Sequence, residues 1–214
     1  MLNLHVFTFN LFQEHTYVAW AKGPACVIVD PGCHHPDDFD ELYSFLDTKG
    51  LKPEAILLTH GHLDHTFGIK ELQQKWDGIP TLMHPADKDL PETTPFPFTA
   101  IGDNETLTYA GLAFKVIATP GHTPGSVCLL DEKDGVMFTG DTLFAGTIGR
   151  SDFAYSDYDD EIRSIMEKLI WLDPAIRILP GHGPESTIGI ERQTNPFLEP
   201  FNELGEDVPL DYNV

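Results

Sequence analysis

The feature that most constrains this chain is the stretch His60-Gly61-His62-Leu63-Asp64-His65, which places four potential metal ligands directly after an apolar run. That run, residues 55–58, is typical of a buried strand. His60 and His62 are two residues apart, so we expect their side chains to project to one side where the strand ends. Asp64 and His65 lie further round the turn, and they are expected to face a second point about 3.5–4 Å away, the usual spacing of two-metal sites.

Three more potential ligands appear downstream in a similar context. His122, Asp141 and His182 each follow a glycine that comes after an apolar run. Glycine permits a tight backbone bend, which turns the next side chain from the end of a strand toward a shared centre. The sequence therefore predicts that four strand ends deliver metal ligands to one place.

The predicted ligands number seven, and they divide into two sets with a shared member. One metal is expected to bind His60, His62 and His122, the other Asp64, His65 and His182, and Asp141 bridges the two. A carboxylate bridges well because it has two oxygens and neutralises charge between two cations. Ligands that are all nitrogen or oxygen predict two divalent ions, with zinc favoured and iron or manganese also accepted.

The rest of the chain alternates short apolar strands with amphipathic helices. Residues 25–29 are predicted to form a buried strand, and residues 126–130 and 136–139 the two arms of a hairpin. Apolar side chains over residues 162–169 recur at helical spacing, and Ser186 is predicted to cap a final helix. This order predicts an α+β protein with two sheets and helices outside them.

Charge and cysteine content limit the partners and the compartment. With 34 acidic and 13 basic residues among 214, the net charge is −21, which disfavours nucleic acid and anionic membranes and favours a small-molecule substrate. Residues 1–12 read as a first strand without the features of a signal peptide. The three cysteines are an odd number without a CxxC motif, and we expect a cytoplasmic protein. Cys33 is expected to be solvated in a loop, with a metal role as the alternative.

Several motifs together resemble the metallo-β-lactamase superfamily. They are the His60–His65 stretch, Asp30-Pro31-Gly32, Pro120-Gly121-His122, Gly140-Asp141 and Pro180-Gly181-His182, and the similarity extends roughly over residues 6–196. The resemblance implies a four-layer αββα sandwich with the metals at one edge between the two sheets. It also implies a metallo-β-lactamase-like domain over residues 1–196. The composition of residues 197–214, which are rich in acids and contain no base, predicts an acidic tail.

Within that superfamily, residues 140–144 and 149–153 resemble the glyoxalase II branch, the hydroxyacylglutathione hydrolases. The resemblance implies hydrolysis of thioesters such as S-lactoylglutathione by a hydroxide that bridges the metals, with Asp64 and Asp141 as catalytic groups. Longer glyoxalase II enzymes hold glutathione with a basic helical domain, which the acidic tail does not resemble, so the thiol carrier stays open. Zinc β-lactamases with a thiolate ligand carry Cys where this chain has Asp141, which argues against a β-lactamase.

The substrate-binding residues and some alternative functions are less constrained. Arg150 is predicted to hold an anionic substrate group, with an ion pair to Asp152 as the alternative, and Phe144, Phe153 and Tyr155 line a pocket or simply pack. The alternative functions are a mononuclear iron persulfide dioxygenase, a lactone or other ester hydrolase, and a metal-binding scaffold without turnover. The oligomeric state stays open.

Overall fold

Two six-stranded sheets form the centre of the fold. The computed structural model describes residues 1–91 and 93–199. The first sheet contains, in spatial order, β1 Asn3–Phe9, β2 Glu14–Trp20, β3 Ala25–Val29, β4 Lys52–Leu57, β5 Thr81–Met83 and β6 Thr99–Ala100. The second contains β14 Ser186–Thr187, β13 Arg177–Pro180, β10 Val136–Gly140, β9 Val127–Asp131, β8 Leu112–Ala118 and β7 Thr106–Tyr109. A separate two-stranded ribbon consists of β11 Leu143–Phe144 and β12 Thr147–Ile148.

Both sheets are mixed, and their parallel pairs decide where the strand ends meet. In the first sheet, β1 to β3 are antiparallel, whereas β3 to β6 run parallel. In the second sheet, β10 and β13 are parallel and the other pairs are antiparallel. Parallel neighbours need a long crossover connection, and their carboxyl ends lie at the same edge of the sheet.

Within residues 1–91 and 93–199, five helices cover the outer faces of the sheets or connect the strands. They are α1 Pro36–Lys49, α2 Leu63–Thr66, α3 Ile69–Lys75, α4 Tyr158–Ser164, which continues as a π-helical turn over Ile165–Leu169, and α5 Ile188–Thr194. Helix α1 begins at a proline in its first turn and ends at Gly50, whose φ of 64° is a left-handed conformation that favours glycine. Short 3-10 turns lie at Pro85–Asp87 and Pro196–Leu198.

Three apolar layers confirm the αββα sandwich that the family resemblance implied. Residues from both sheets, among them Leu57 and Phe138, are buried together between the sheets. The outer face of the first sheet packs against α1 and α3 through side chains such as Leu42. The outer face of the second sheet packs against the α4 region and α5 through side chains such as Leu169 and Ile188. Each sheet is therefore covered by the other sheet on one face and by helices on the other.

The structure corrects three details of the predicted elements. The first strand is shorter than residues 1–12, and Thr187 rather than Ser186 caps α5, by accepting a hydrogen bond from the backbone NH of Ile190 at 3.2 Å. Ser186 and Thr187 both lie in the edge strand β14, but the Ser186 hydroxyl hydrogen-bonds to Glu191 and caps no backbone NH group. Cys33 is fully buried in the apolar layer beneath α1, not solvated, because the loop that follows Asp30 turns inward.

The end of the described chain still packs on the domain. Leu198 is buried with the residues beneath α5, so packing continues past residue 196. Most of the predicted acidic tail, residues 200–214, lies outside the described residues, and its boundary stays a prediction. Over the part of the chain that the structure describes, no helix combines the length and apolar character needed to cross a membrane.

Candidate metal centre

The predicted ligands lie at strand ends that meet at one edge of the two sheets. After β4, the chain passes through Thr59 to His60, and His62 precedes α2, so that Asp64 and His65 fall in a helical turn. His122 lies in the loop between β8 and β9, Asp141 directly follows β10, and His182 follows β13. Strand ends and one helical turn thus bring distant segments together, as the sequence predicts.

Three imidazoles converge in the first of two ligand clusters. Nδ1 of His62 lies 3.1 Å from Nε2 of His60 and 2.9 Å from Nε2 of His122. All three side chains are buried. Ring nitrogens that face one another at such distances direct their lone pairs to a shared point, which is the geometry of a cation site.

The second cluster contains Asp64, His65 and His182. Nε2 of His182 lies 3.2 Å from Oδ2 of Asp64 and 3.3 Å from Nε2 of His65. The membership of both clusters matches the two sets that the sequence predicts. A further group of three potential ligand atoms, from Asp30, His60 and His65, lies deeper in the fold.

Asp141 lies between the two clusters. Its Oδ2 is 3.5 Å from Nε2 of His122 in the first cluster and 3.6 Å from Nε2 of His182 in the second. Its Oδ1 is buried and accepts no hydrogen bond from the described residues, although a buried carboxylate oxygen normally has a partner. A pair of divalent cations would satisfy this oxygen and the inner ring nitrogens, so the residues present fit two metal ions.

The outer nitrogens of four of these histidines hold hydrogen bonds that leave the inner nitrogens available. The partners are Tyr155 hydroxyl for His62 Nε2 (2.8 Å), Asp30 Oδ2 for His65 Nδ1 (3.1 Å), the Arg150 carbonyl for His122 Nδ1 (2.7 Å) and the Phe12 carbonyl for His182 Nδ1 (3.0 Å). Acceptors of this kind fix the tautomer and the ring orientation of metal-binding histidines. The carboxylate and carbonyl acceptors thereby set His65, His122 and His182 to offer Nε2, whereas the Tyr155 hydroxyl can donate or accept, and Nδ1 of His62 is the nitrogen that faces His60 and His122.

Comparison with known proteins agrees with this geometry. The sequence profile of the metallo-β-lactamase superfamily matches residues 10–182, which include all the predicted ligands. The chain belongs to the metallo-β-lactamase superfamily.

Individual superfamily members are similar over nearly the whole chain. The hydroxyacylglutathione hydrolase GloC of Haemophilus influenzae is 34% identical over 212 residues, which cover 92% of this chain and 98% of that protein. The crystal structure of the BLEG-1 B3 metallo-β-lactamase is 33% identical with a TM-score of 0.83, and the match covers 92% of this chain and 100% of that one. TTHA1623, solved in a di-iron-bound form, is 34% identical with a TM-score of 0.79 and coverages of 91% and 100%. These matches confirm the metallo-β-lactamase fold.

Burial and neighbouring charges set the protonation of this superfamily site. Burial lowers the pKa of His60 well below its usual range, and burial together with the nearby His122 lowers the pKa of His62 to about 4. Burial also opposes a charge on His65, but the carboxylates of Asp141 and Asp30 prevail and raise its pKa well above the ordinary value. His60 and His62 are therefore neutral at pH 7, the form that binds a metal ion.

A buried acid that sequence reasoning missed joins two ligand-bearing loops. The carboxylate of Asp87, fully buried, accepts hydrogen bonds from the backbone NH groups of Gly61 at 2.8 Å and Gly125 at 2.6 Å, and from the Thr123 hydroxyl at 2.7 Å. Gly61 lies between His60 and His62, and Thr123 follows His122. Asp87 thus ties together the two loops that supply the first cluster, although it stands alone in the sequence without a motif.

We expect Asp87→Asn to weaken metal binding at the first cluster by about 10-fold to 100-fold, the usual cost of losing an outer-shell partner. The amide keeps one acceptor oxygen, but its NH₂ group then faces the backbone NH group of Gly61 or Gly125. Two donors repel each other, and the two ligand-bearing loops therefore move apart. Metal affinity measured by competition with a chromophoric chelator tests this. Glu191→Gln is the matched control, because Glu191 is equally buried but ties Gly146 and Asn195. Equal affinities in the two variants would contradict the role of Asp87.

The glycines that precede ligands serve two different purposes. The predicted backbone bend is present at Gly121 and Gly140, where φ is 154° and 48°. The chain also bends at Gly181, but neither Gly61 nor Gly181 has a positive φ, so their backbone conformation does not itself require glycine. Glycine is needed there for close approach instead: a Cβ on Gly61 would lie 2.8 Å from that of Asp87, and a Cβ on Gly181 would clash with Asp141 and His65.

A cavity of about 450 Å³ opens beside the ligand clusters. Its described lining comprises Phe12, His62, Leu63, Asp64, Phe67, His122, Asp141, Arg150, Phe153, Tyr155 and His182. The predicted substrate residues Arg150 and Tyr155 are among these, whereas Phe144 is not and lies beside His182, with the ring centroids 6.4 Å apart. Sequence reasoning missed Phe12 and Phe67, which carry no motif.

Arg150 forms the ion pair that was its alternative interpretation. Its Nε donates to Oδ1 of Asp152 at 2.7 Å, and its second guanidinium nitrogen donates to Oδ2 at 3.0 Å. The guanidinium also lies over the ring of Phe153, 4.3 Å from its centroid. Arg150 therefore faces the cavity with a carboxylate partner already in place.

Proposed function

We propose that this chain is a di-metal hydrolase that cleaves thioesters. The observation that carries the proposal is the pair of complete ligand clusters that share Asp141 and open onto one cavity. Similarity to the Haemophilus hydroxyacylglutathione hydrolase supports a thioester substrate. The two cations are proposed to be zinc, with iron or manganese as alternatives, and the similarity to a di-iron structure supports iron among them.

When bound, a pair of divalent cations lowers the pKa of water and polarises a carbonyl oxygen. The seven ligands would hold these cations, and Asp30, Tyr155 and backbone carbonyls orient the imidazole rings. Asp64 lines the cavity, and its proposed role is to take up a proton as the product leaves. A thiolate departs without a strong general acid, because its pKa is about 8.5.

No thiol nucleophile competes with this assignment among the described residues. All three cysteines are buried and unpaired, and burial raises the pKa of both Cys26 and Cys128 to about 12. Such thiols are unreactive at pH 7. Unpaired cysteines also support our proposal of a reducing, cytoplasmic location, and the strong negative charge supports a small-molecule substrate rather than nucleic acid or an anionic membrane.

Hydrolysis assays with the zinc-loaded protein test the proposal. We expect kcat/KM of about 10⁴ M⁻¹s⁻¹ or above for at least one thioester, in a panel that includes S-D-lactoylglutathione and uncharged thioesters. Metal analysis should find about two ions per chain in the active protein. The proposal fails if the protein loaded with two metals turns over none of the panel.

β-Lactam hydrolysis is the second candidate function, because the similarity to the BLEG-1 B3 metallo-β-lactamase favours it. A chromogenic cephalosporin and a lactone in the same assay separate amide and ester hydrolysis from thioester hydrolysis. The persulfide dioxygenase alternative requires one iron per chain and sulfite production from glutathione persulfide. The complete second cluster of Asp64, His65 and His182 argues against it.

A further inference from the structure

We propose that the cavity beside the metal centre binds a neutral thioester with an aromatic acyl group, in preference to the thioester of an anionic peptide thiol. This inference rests on the proposed thioester hydrolysis and names its substrate class. Two independent features of the site lead to it: the character of the cavity wall and the state of its one guanidinium group.

Aromatic side chains from three separate segments form much of the wall. Phe12 comes from the turn between β1 and β2, Phe67 follows α2, and Phe153 and Tyr155 follow β12. The rings of Phe153 and Tyr155 stack with centroids 5.3 Å apart and planes 9° apart. The ring of Phe153 lies 5.2 Å from that of the ligand His62, so the aromatic wall begins at the metal centre. An acyl group attached to a carbonyl at that centre meets this wall, which favours a planar apolar group.

The same cavity offers few basic side chains that could bind the carboxylates of an anionic thiol. Arg150 is the one Lys or Arg among the described lining residues, and Asp152 already holds it through two hydrogen bonds. A carboxylate of the substrate has to displace Asp152 from that pair. The exchange replaces one carboxylate with another, so it adds little binding free energy.

The net charge of the whole protein also favours a neutral substrate over an anionic one. A chain with a net charge of −21 repels anionic molecules as they approach. A peptide thiol such as glutathione carries two carboxylates, which extend away from the thioester carbonyl and hence away from the cations. A neutral carrier meets no such repulsion.

The test compares matched thioesters that differ in one property at a time. The phenylacetyl and acetyl thioesters of N-acetylcysteamine, a neutral thiol, differ only in the acyl group. The phenylacetyl thioesters of N-acetylcysteamine and of glutathione differ only in the thiol. We expect kcat/KM for the phenylacetyl group to exceed that for acetyl by at least about tenfold. We also expect the neutral phenylacetyl thioester to exceed its glutathione counterpart at low salt, by a factor that shrinks as salt screens the repulsion. A glutathione thioester that is the better substrate, or indifference to the acyl group, would overturn the inference.

Variants connect these preferences to particular side chains. Phe12→Ala should lower the phenylacetyl-to-acetyl ratio of kcat/KM about fivefold. Phe12 is 65% exposed, so its replacement should not affect folding. The variant also keeps the backbone carbonyl of residue 12, which accepts a hydrogen bond from His182. Leu11→Ala is the control, because Leu11 lies in the same turn, is 93% exposed and is not part of the described lining. Asp152→Asn releases Arg150 and should raise kcat/KM for phenylacetyl glutathione about threefold, with the neutral thioester unaffected.

A binding measurement keeps the inference testable if no thioester is hydrolysed. The probes are non-hydrolysable thioether ketones in which a CH₂ group separates the phenylacetyl carbonyl from sulfur, on N-acetylcysteamine and on glutathione. Calorimetry on the metal-loaded protein should give the neutral analogue a Kd at least about tenfold lower. That result without turnover refutes the proposed reaction but supports the ligand class. Equal affinities, or tighter binding of the glutathione analogue, refute the ligand class whatever the reaction.

Discussion

Asp141→Asn is expected to lower kcat/KM for the thioester substrate by at least about 10²-fold and to reduce metal content to about one ion per chain. Loss of an outer-shell partner alone costs about 10-fold to 100-fold, and the loss of a shared ligand costs more. The variant keeps the shape of the side chain but removes the charge that lies between His122 and His182. Its NH₂ group also faces ring nitrogens or cations where an acceptor is required.

The matched control for this variant is Asp131→Asn. Asp131 is as deeply placed, with 2% of its surface exposed, but it lies at the opposite end of the β9–β10 hairpin and accepts from the backbone NH groups of Lys133 and Asp134 at 3.0 Å. We expect it to retain both metals and full kcat/KM, with some loss of stability. Metal analysis and steady-state kinetics decide the matter. An Asp141→Asn protein with two metals and normal turnover would rule out the bridging role.

Removal of the metals is expected to abolish hydrolysis and to lower Tm by about 10 °C. Bound cations stabilise the folded state by about 3–4 kcal/mol when their free concentration is about 100 to 1,000 times Kd. For a domain of this size, each kcal/mol changes Tm by about 2–4 °C. The structure explains the direction: without cations, the inner nitrogens of His60, His62 and His122 face one another, and a buried Asp141 oxygen has no hydrogen-bond donor.

Calorimetry with and without a chelator measures this shift, and added zinc should restore both Tm and turnover. His60→Ala should reduce the shift, because it opens the first cluster. His34→Ala should leave the shift unchanged, since His34 is exposed and belongs to neither cluster. A chelator that removes the metal without changing Tm would show that the ligand loops are held by the protein alone.

The candidate metal ligands were predictable because their signals are local and chemically specific, whereas the αββα arrangement of the fold followed from the resemblance to a known superfamily. Histidine and aspartate at close spacing after an apolar run define a ligand set without knowledge of the tertiary structure. The apolar runs and the helical periodicity likewise report which faces are buried. Local signals were weaker at element boundaries. Ser186 and Thr187 are both capable caps, and the tertiary structure decides between them because the Ser186 hydroxyl hydrogen-bonds to Glu191, whereas that of Thr187 accepts from Ile190.

The partners of the ligands were not predictable in the same way. Asp87 is one acid among 34 in the chain, and nothing near it in sequence shows that it accepts from Gly61 and Gly125. Phe12 precedes the nearest predicted ligand by dozens of residues, yet its carbonyl accepts from His182 and its ring lines the cavity. These residues act through contacts between segments that meet only when the two sheets pack.

The sequence alone thus predicted which side chains form the candidate metal centre and how they divide into two clusters, because ligand chemistry depends on residue type and short spacing. Only the tertiary structure decided which ring nitrogens face one another, that Arg150 pairs with Asp152, and that aromatic rings line the cavity beside the ligand clusters. The physical reason is that hydrogen bonds and ion pairs act over a few ångströms. The groups within that reach of the metal centre come from β-strands, turns and loops that are far apart in the chain.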